Sequence, residues 1–413
     1  MSVIAVLESN LAGNGALVIQ AAKRKGYKTL FICGNKLEYA NTAMNPIDFA
    51  DEVAVVDSYD IAKLLAFFKS YPDKVDAVMA FDDFRMIQAA IISQFLNLPY
   101  APTVEALLTV RFKHLLREKL NNTEYKIGFT RLRADSEAHQ TILKYPCVIK
   151  PIDESGSVGV KVCHSKSESD EAIDYIRSLP KYNSRGFTVS RDILVEEFIA
   201  GKEYSAELVW DCKHDNWRLL GITQKFVTPP PFCVERAHIF PYAEGSAFSS
   251  GVSLHANHIL KHVGLRNTFV HMEFKLSDGK FDVIEINPRL GGDMIIELMK
   301  NAKGYDAAAL MLEANINQPL SIENIDEYGY ASAIVYITDS NGGHITDIAV
   351  ERGEDIFSRI NIFPLPRTLK GLRSSEDRLG YVILKKASYQ QVEPCVEALL
   401  DGNGINIIKS SLS

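Results

Sequence analysis

The 413-residue chain has no apolar run long enough to span a bilayer, and its N-terminus reaches Glu8 without the basic stretch that opens a secretory leader. Insertion and export are not expected, and a cytoplasmic protein is. It also lacks a Lys/Arg-rich block: acidic residues outnumber basic ones 52 to 45, for a net charge of −7. The footprint that neutralises a nucleic-acid backbone or an anionic membrane is therefore missing. Cysteines are few and scattered. Cys33, Cys147, Cys163, Cys212, Cys233 and Cys395 form no C-x-x-C pair and no metal-ligand spacing, so buried, reduced thiols are expected. There is no internal repeat, no low-complexity tract and no G-x-x-x-x-G-K-[ST] phosphate loop.

What remains is an ordinary globular composition, 46% hydrophobic and 23% charged, long enough for two or three domains. Residues 1–105 alternate short β-branched runs (VIAVL, TLFIC, EVAVV, AVMAF) with amphipathic stretches, which predicts a parallel sheet wrapped by helices. The first turn, LAGNGA, misses a dinucleotide fingerprint: Val18 stands where the third glycine belongs, and the second strand ends in CGNK without an acid for a ribose. A helix is predicted from about 106 to 120, bearing Lys113 and Arg117 one turn apart. With it, a strand-rich unit to about 205 forms a second domain, which has a helix near 168–179. Residues 206–413 make a third, with two helices before 315, a small closing segment from about 320, and a last helix near 389–400.

The strongest chemical pattern is HMEFKLSDGKFDVIEINPRLGG, residues 271–292. Two strands flank a turn, and on each a polar face alternates with an apolar one: His271, Glu273 and Lys275 on the first, Glu285 and Asn287 on the second. Acids in the middle of a buried strand require a cation. A three-residue loop of Asp278, Gly279 and Lys280 would set Glu273 opposite Glu285, whereas a two-residue loop would put them on opposite faces. Two carboxylates and an amide oxygen suit magnesium; a surface hairpin with solvated acids would share the pattern. Arg289 follows on the same alternation, where it could fork onto a carboxylate or acyl phosphate. Gly291 and Gly292 lead into a helix predicted over 293–301 whose first amides could hold an anion.

Two further segments stand upstream. In KYPCVIKPIDESGSVGVKV (144–162), Lys150 ends an apolar strand, and the small residues Ser155, Gly156, Ser157 and Gly159 would let backbone amides approach phosphates. A bare hairpin turn fits that segment equally. In ILVEEFIAGKEYSAE (193–207), Glu196 and Glu203 lie seven apart on β-rich sequence.

Taken in order, Lys113, Lys150 with its loop, EEFIAGKE and E(273)…EINPR resemble the nucleotide site of the ATP-grasp superfamily, over residues 1–315. The resemblance implies an ATP-grasp fold, α/β and α+β, with an N-terminal Rossmann-like domain and a small C-terminal one. It implies that Lys113 and Lys150 contact the ATP phosphates under the loop of Ser155, Gly156 and Ser157. The backbone of Glu196, Glu197, Phe198 and Ile199 would read adenine, with Glu203 on the ribose. Glu273, Glu285 and Asn287 would hold one or two magnesium ions, with manganese as a substitute, and Arg289 the acyl phosphate. Lys225 in GITQKFV and His238 in ERAHIFPY resemble positions on the substrate side in carboxylate-amine ligases of this superfamily. The segment SEDRLGYVILKKAS (375–388) resembles the closing domain of bacterial L-amino-acid ligases, which form dipeptides. The implied reaction joins a carboxylate to an amine, both small molecules of the amino-acid class, through an acyl phosphate. Relatives that activate bicarbonate or formate, and an ATP-binding protein without turnover, are the alternatives, and a homodimer is one option for assembly.

Overall fold

The computed structural model describes every residue except 1, 11, 41, 43, 136–143, 244, 278, 323–328, 352–355, 362–363 and 411–413. Near the N-terminus β1 (Val3–Leu7), β2 (Lys28–Cys33), β3 (Glu52–Val55) and β4 (Val75–Ala80) pair in parallel, in the order β3-β2-β1-β4. A sheet covered on both faces needs near-continuous apolar strands, and VIAVL is buried at every position. The carboxyl ends of these strands lead instead into buried polar residues: Glu8 after β1, Ser58 beyond β3, and Asp82 and Asp83 after β4.

Residues 104–120 form two helices, Val104–Arg111 and Lys113–Leu120, where one was expected. Phe112 between them is extended (φ −99°, ψ 108°). The break aims the first residue of the second helix at a loop of the next sheet: the Lys113 amide donates to the Ile152 carbonyl at 3.2 Å and Nζ to the Glu154 carbonyl at 2.6 Å. That sheet is antiparallel and contains β5 (Phe129–Leu132), β6 (Cys147–Pro151), β7 (Lys161–Cys163) and β8 (Ile193–Glu197), in the order β5-β8-β6-β7. The helix Lys166–Ser178 turns Ala172, Ile173 and Ile176 onto its apolar face.

The third sheet has eight strands. β9 (Lys202–Asp211), β10 (Asn216–Val227), β11 (Glu235–Phe240), β12 (Phe269–Ser277), β13 (Lys280–Asn287) and β14 (Ala331–Ile337) lie in the order β13-β12-β9-β10-β11-β14, followed by Gly380–Lys386 and Ile356–Asn361. The C-terminal segment thus continues this sheet and adds a small one from Gly343–Val350, Arg367–Leu369 and Ile405–Ser410. Three helices, one more than expected, occupy 206–315: Ser246–Val263, Ile295–Lys303 and Ala307–Asn315. One face of β9 and β12 is apolar. Tyr204, Ala206, Leu208, Met272 and Phe274 are buried there, and the Phe274 ring stacks on Phe281 (4.5 Å between centroids) and on Tyr204 (5.6 Å). The opposite face is polar.

Register on that polar face is set by bulges. Ser277 pairs with Lys280, so two residues separate β12 from β13, and the expected three-residue loop is not what the chain uses. By itself this would put Glu273 and Glu285 on opposite faces. Phe274 pairs with Val283 and Glu273 with Glu285, however, so Ile284 is an extra residue whose bulge turns β13 back. The facing carboxylates hold, for a reason other than loop length. A second bulge lies in β11: Ala237 pairs with Phe226 and Glu235 with Val227, which makes Arg236 the extra residue and brings Glu235 onto the face of His238. The helix expected at 293 starts at Ile295, because Asp293 and Met294 are both left-handed (φ 52° and 62°). All six cysteines are free; Cys33, Cys147 and Cys163 are buried as expected, and the other three only partly so.

Candidate active site

Side chains on the polar face of the third sheet form rows across its strands. Glu285, Glu273, Ser205 and Thr223 are register partners on β13, β12, β9 and β10. One step along, Asn287, His271 and Glu207 align; one step the other way, Lys275, Glu203, Lys225 and His238 do. A cavity of about 270 Å³ lies between this face and the sheet of β6 and β8. Both lysines expected at the phosphates, Lys113 and Lys150, line it, as do the loop residues Ser155, Gly156 and Ser157. Glu203, His238, Glu273, Glu285, Asn287, Arg289 and Gly292 line it too.

Glu196, Glu197, Phe198 and Ile199 also border the cavity, but only part of this run is outside a ladder. Glu196 pairs with both neighbours of β8 and Glu197 with Cys147 of β6, leaving Phe198 and Ile199 beyond the last pair. The Ile199 carbonyl accepts from Lys275 Nζ at 3.2 Å. The Glu196 side chain lies between Arg117 Nε and Lys150 Nζ, each at 2.5 Å. Burial pushes this carboxyl up, yet Arg117 and Lys150 together bring it down to about 2 from an ordinary 4.5. The sign follows from linkage: a carboxyl depressed by folding stabilises above its unfolded value, and that contribution is lost as pH falls from about 4.5 through about 2. The gain is on the order of a few kcal/mol, set against the burial that pushes the Lys150 ammonium down. Glu196→Gln should therefore flatten the acid limb of a stability–pH curve measured by denaturant unfolding and lower stability at neutral pH by an amount of that order. An unchanged acid limb would remove Glu196 from this role.

Two expected site residues stand elsewhere. Lys225 does not itself line the cavity but lies behind Glu203, Glu235 and Glu273, which do. Its side chain is 1% exposed, and Nζ is paired with Glu235, with Glu273 at 2.9 Å and with Glu203 at 3.4 Å. Gly291 is outside the wall, and a Cβ there would come within 3.2 Å of His271 Nδ1 and 3.4 Å of Glu207 Oε2. Its smallness serves packing against that pair, while Gly292 has open space around it. Burial would lower the His271 imidazole, but Glu207 and Glu273 carry it up to about 10, so the fully buried Glu207 has a cationic partner.

Several residues outside the expected binding set complete the site. Arg117 and His271 border the cavity, and so do Glu235 and Asp293. Arg378, from the C-terminal segment, donates to Asp293 Oδ1 at 2.9 Å and Glu235 Oε2 at 3.0 Å, with its guanidinium 3.8 Å over the Tyr336 ring. Period two in an apolar strand is the signal that could have pointed to Glu207, and Arg378 stands in the 375–388 segment that resembles the closing domain; nothing local pointed to Asp293. Asp83 meets Arg289 from 206 positions away.

Two acid clusters could hold a metal ion by distance alone: Glu203 with Glu235 and Glu273, and Glu235 with His238 and Asp293. The first already encloses the Lys225 ammonium and the second is clamped by Arg378. Glu273 and Glu285 with Asn287 offer hard oxygens to the cavity: Glu273 has one oxygen paired with Lys225 Nζ at 2.9 Å and His271 Nε2 at 3.2 Å, and Glu285 lies 3.6 Å from Lys113 Nζ. That donor set fits magnesium.

Residues 143–297 match the ATP-grasp domain family. An uncharacterized protein of Sinorhizobium fredii is 24% identical over 96% of this chain and 81% of its own length. Dapdiamide A synthase of Enterobacter agglomerans is 23% identical over 73% of this chain and 70% of its own. The crystal structure of an L-amino acid ligase from Bacillus licheniformis superposes with a TM-score of 0.81 at 20% identity, covering 100% of this chain and 99% of that one. No helix among the described residues is long and apolar enough to cross a membrane. Residues 143–297, which include the strands that carry the cavity, are similar to ATP-grasp domains, and the chain as a whole has the ATP-grasp fold.

Proposed function

We propose that the chain is an ATP-dependent carboxylate-amine ligase. In this reading a substrate carboxylate attacks the γ-phosphate of ATP, giving an acyl phosphate and ADP, and an amine then displaces phosphate to form an amide or dipeptide bond. The observation that carries it is Glu273 facing Glu285 across a bulged hairpin, with Asn287 and Arg289 following on the cavity wall opposite Lys113 and Lys150. Phosphoryl transfer is catalysed chiefly by positioning and by charge placed where negative charge builds, and this cavity supplies both. Lys113 and Lys150 hold the phosphates from the side of β6, with Gly156 and Ser157 (φ 67° and 59°) bending the loop over them. Magnesium, when bound by Glu273, Glu285 and Asn287, offsets charge on the transferred group. Arg289 and the amide of Gly292 meet the acyl oxygen, and the 154–158 loop excludes water from the activated carboxylate.

The choice of ligation over carboxylation is supported by the match in fold and length to an L-amino acid ligase and by the similarity to dapdiamide A synthase. The test is ADP release from Mg-ATP across pairs of amino acids, with oxygen-18 in the substrate carboxylate. Amine-dependent release with label in the phosphate is expected. Release driven by bicarbonate or formate instead would replace this reading with its carboxylase or transformylase alternative, and release without any carboxylate would reduce it to an ATPase.

A further inference from the structure

We propose that Asp83 is the positioning residue for Arg289, so that the N-terminal domain supplies a working part of the catalytic cavity and not merely a cover. The inference rests on the ligase reading in taking Arg289 as the group that meets the transferred phosphoryl and acyl oxygens.

Asp83 stands in the turn after β4 and is buried. Its two oxygens accept from Arg289 Nε and Nη2, both at 2.7 Å, which is a side-on fork. Arg289 Nη1 donates to the Leu290 carbonyl at 3.1 Å. A guanidinium has five N–H donors. Three are committed, and two are left on a group that borders the cavity. A long arginine side chain loses considerable rotamer freedom when it is fixed. With Asp83 that ordering is complete before any ligand arrives, and the remaining donors are already aimed, which is the condition for effective electrostatic catalysis.

Asp83 is itself held. The neighbouring Asp82 accepts from the Phe84 and Arg85 amides at 3.0 and 2.9 Å and from Arg85 Nη1 at 2.8 Å, and it lies 3.5 Å from Arg185 of the second domain. The turn is anchored on one carboxylate and presents the other. Burial pushes the Asp83 carboxyl up, but Arg289, Arg111 and Lys113 outweigh it and keep it ionised. A clasp serving only to join domains would have no reason to end on the arginine of the E-x-N-x-R run at the cavity wall.

The experiment titrates inorganic phosphate into the Mg-ADP complex of the full chain, by calorimetry, for wild type, Asp83→Asn, Asp83→Glu, Arg289→Lys and the Asp83→Asn/Arg289→Lys pair. Asp83→Asn should weaken phosphate binding about tenfold or more, as expected for losing one well-placed charged hydrogen bond, while Mg-ADP affinity stays within about twofold. Asp83→Glu keeps the charge but moves the fork by a methylene, so its loss should be intermediate. On the Arg289→Lys background the Asp83→Asn change should add almost nothing, because the partner is gone. Equal phosphate affinity in wild type and Asp83→Asn overturns the proposal, as do fully additive losses in the pair or no saturable phosphate binding to wild type. Should Asp83→Asn fail to fold, the Asp83→Glu titration decides alone: unchanged phosphate affinity there overturns it. Failure of the ligase reading looks different, since it appears as absent amine-dependent ADP release in wild type while the phosphate titration is still readable.

Discussion

Glu285→Gln is expected to lower ligase turnover by at least about a hundredfold, since even outer partners of metal ligands cost up to that much, while hardly changing stability. The two effects separate because of where Glu285 stands. It is partly exposed, and its ion pair with Lys113, at 3.6 Å, is too long for a good hydrogen bond. Losing such a contact costs about 0–1 kcal/mol. Glutamine has the same shape and retains one oxygen, but it removes the charge that, in the proposed metal site, would anchor magnesium against water and phosphate oxygens. Raised magnesium should recover part of the loss by mass action. The check is kcat against magnesium concentration beside a thermal melt. Wild-type turnover at saturating magnesium would take Glu285 out of the metal site, and a large fall in melting temperature would show that the side chain is structural.

The sequence showed this site unevenly, and the reasons are geometric. Polar and apolar residues alternate at period two through 271–277 and again through 284–287, and the order of Lys113, Lys150, EEFIAGKE and EINPR gave both the fold and the cavity-lining residues. Bulges were not legible. Ile284 and Arg236 are ordinary strand residues, and nothing in their type marks them as extra, yet they decide which face Glu285 and Glu235 occupy. The break at Phe112 was hidden for a related reason: the residues on both sides are good helix formers, and it is the bond from Lys113 to the Ile152 carbonyl that fixes the second helix. Partners brought from afar were least visible. Asp83 reaches Arg289 and Arg378 reaches Asp293 only after separate domains or sheet edges have assembled. Lys225 illustrates a different case. Its motif resembles the substrate side, and the pairing of β10 with β9 and β11 sets it among Glu203, Glu235 and Glu273, behind the cavity lining they form.

That position makes Lys225→Met the substitution with the largest expected effect on stability. Glu203, Glu235 and Glu273 offer oxygens that all lie within 4.8 Å of one another. Three carboxylates this close cannot all remain ionised without cations, and the ammonium of Lys225 is the one all three share, beside His271 on Glu273, Arg378 on Glu235 and Lys275 on Glu203. Burial opposes its charge, yet the three carboxylates hold it well above the ordinary lysine range. Methionine fills nearly the same volume with no charge, so packing is largely kept and the electrostatic loss is what a melt would read. Breaking a buried pair by deleting one partner costs about 3–5 kcal/mol, and a loss of that order is expected here. A compact divalent ion offers the lost charge in a form that hard oxygens accept. Millimolar magnesium or manganese should therefore raise the melting temperature of Lys225→Met by clearly more than it raises that of wild type. A variant that melts like wild type without added metal would mean that the three glutamates are neutralised by something other than Lys225, and the charge balance drawn here for the cavity floor would be wrong.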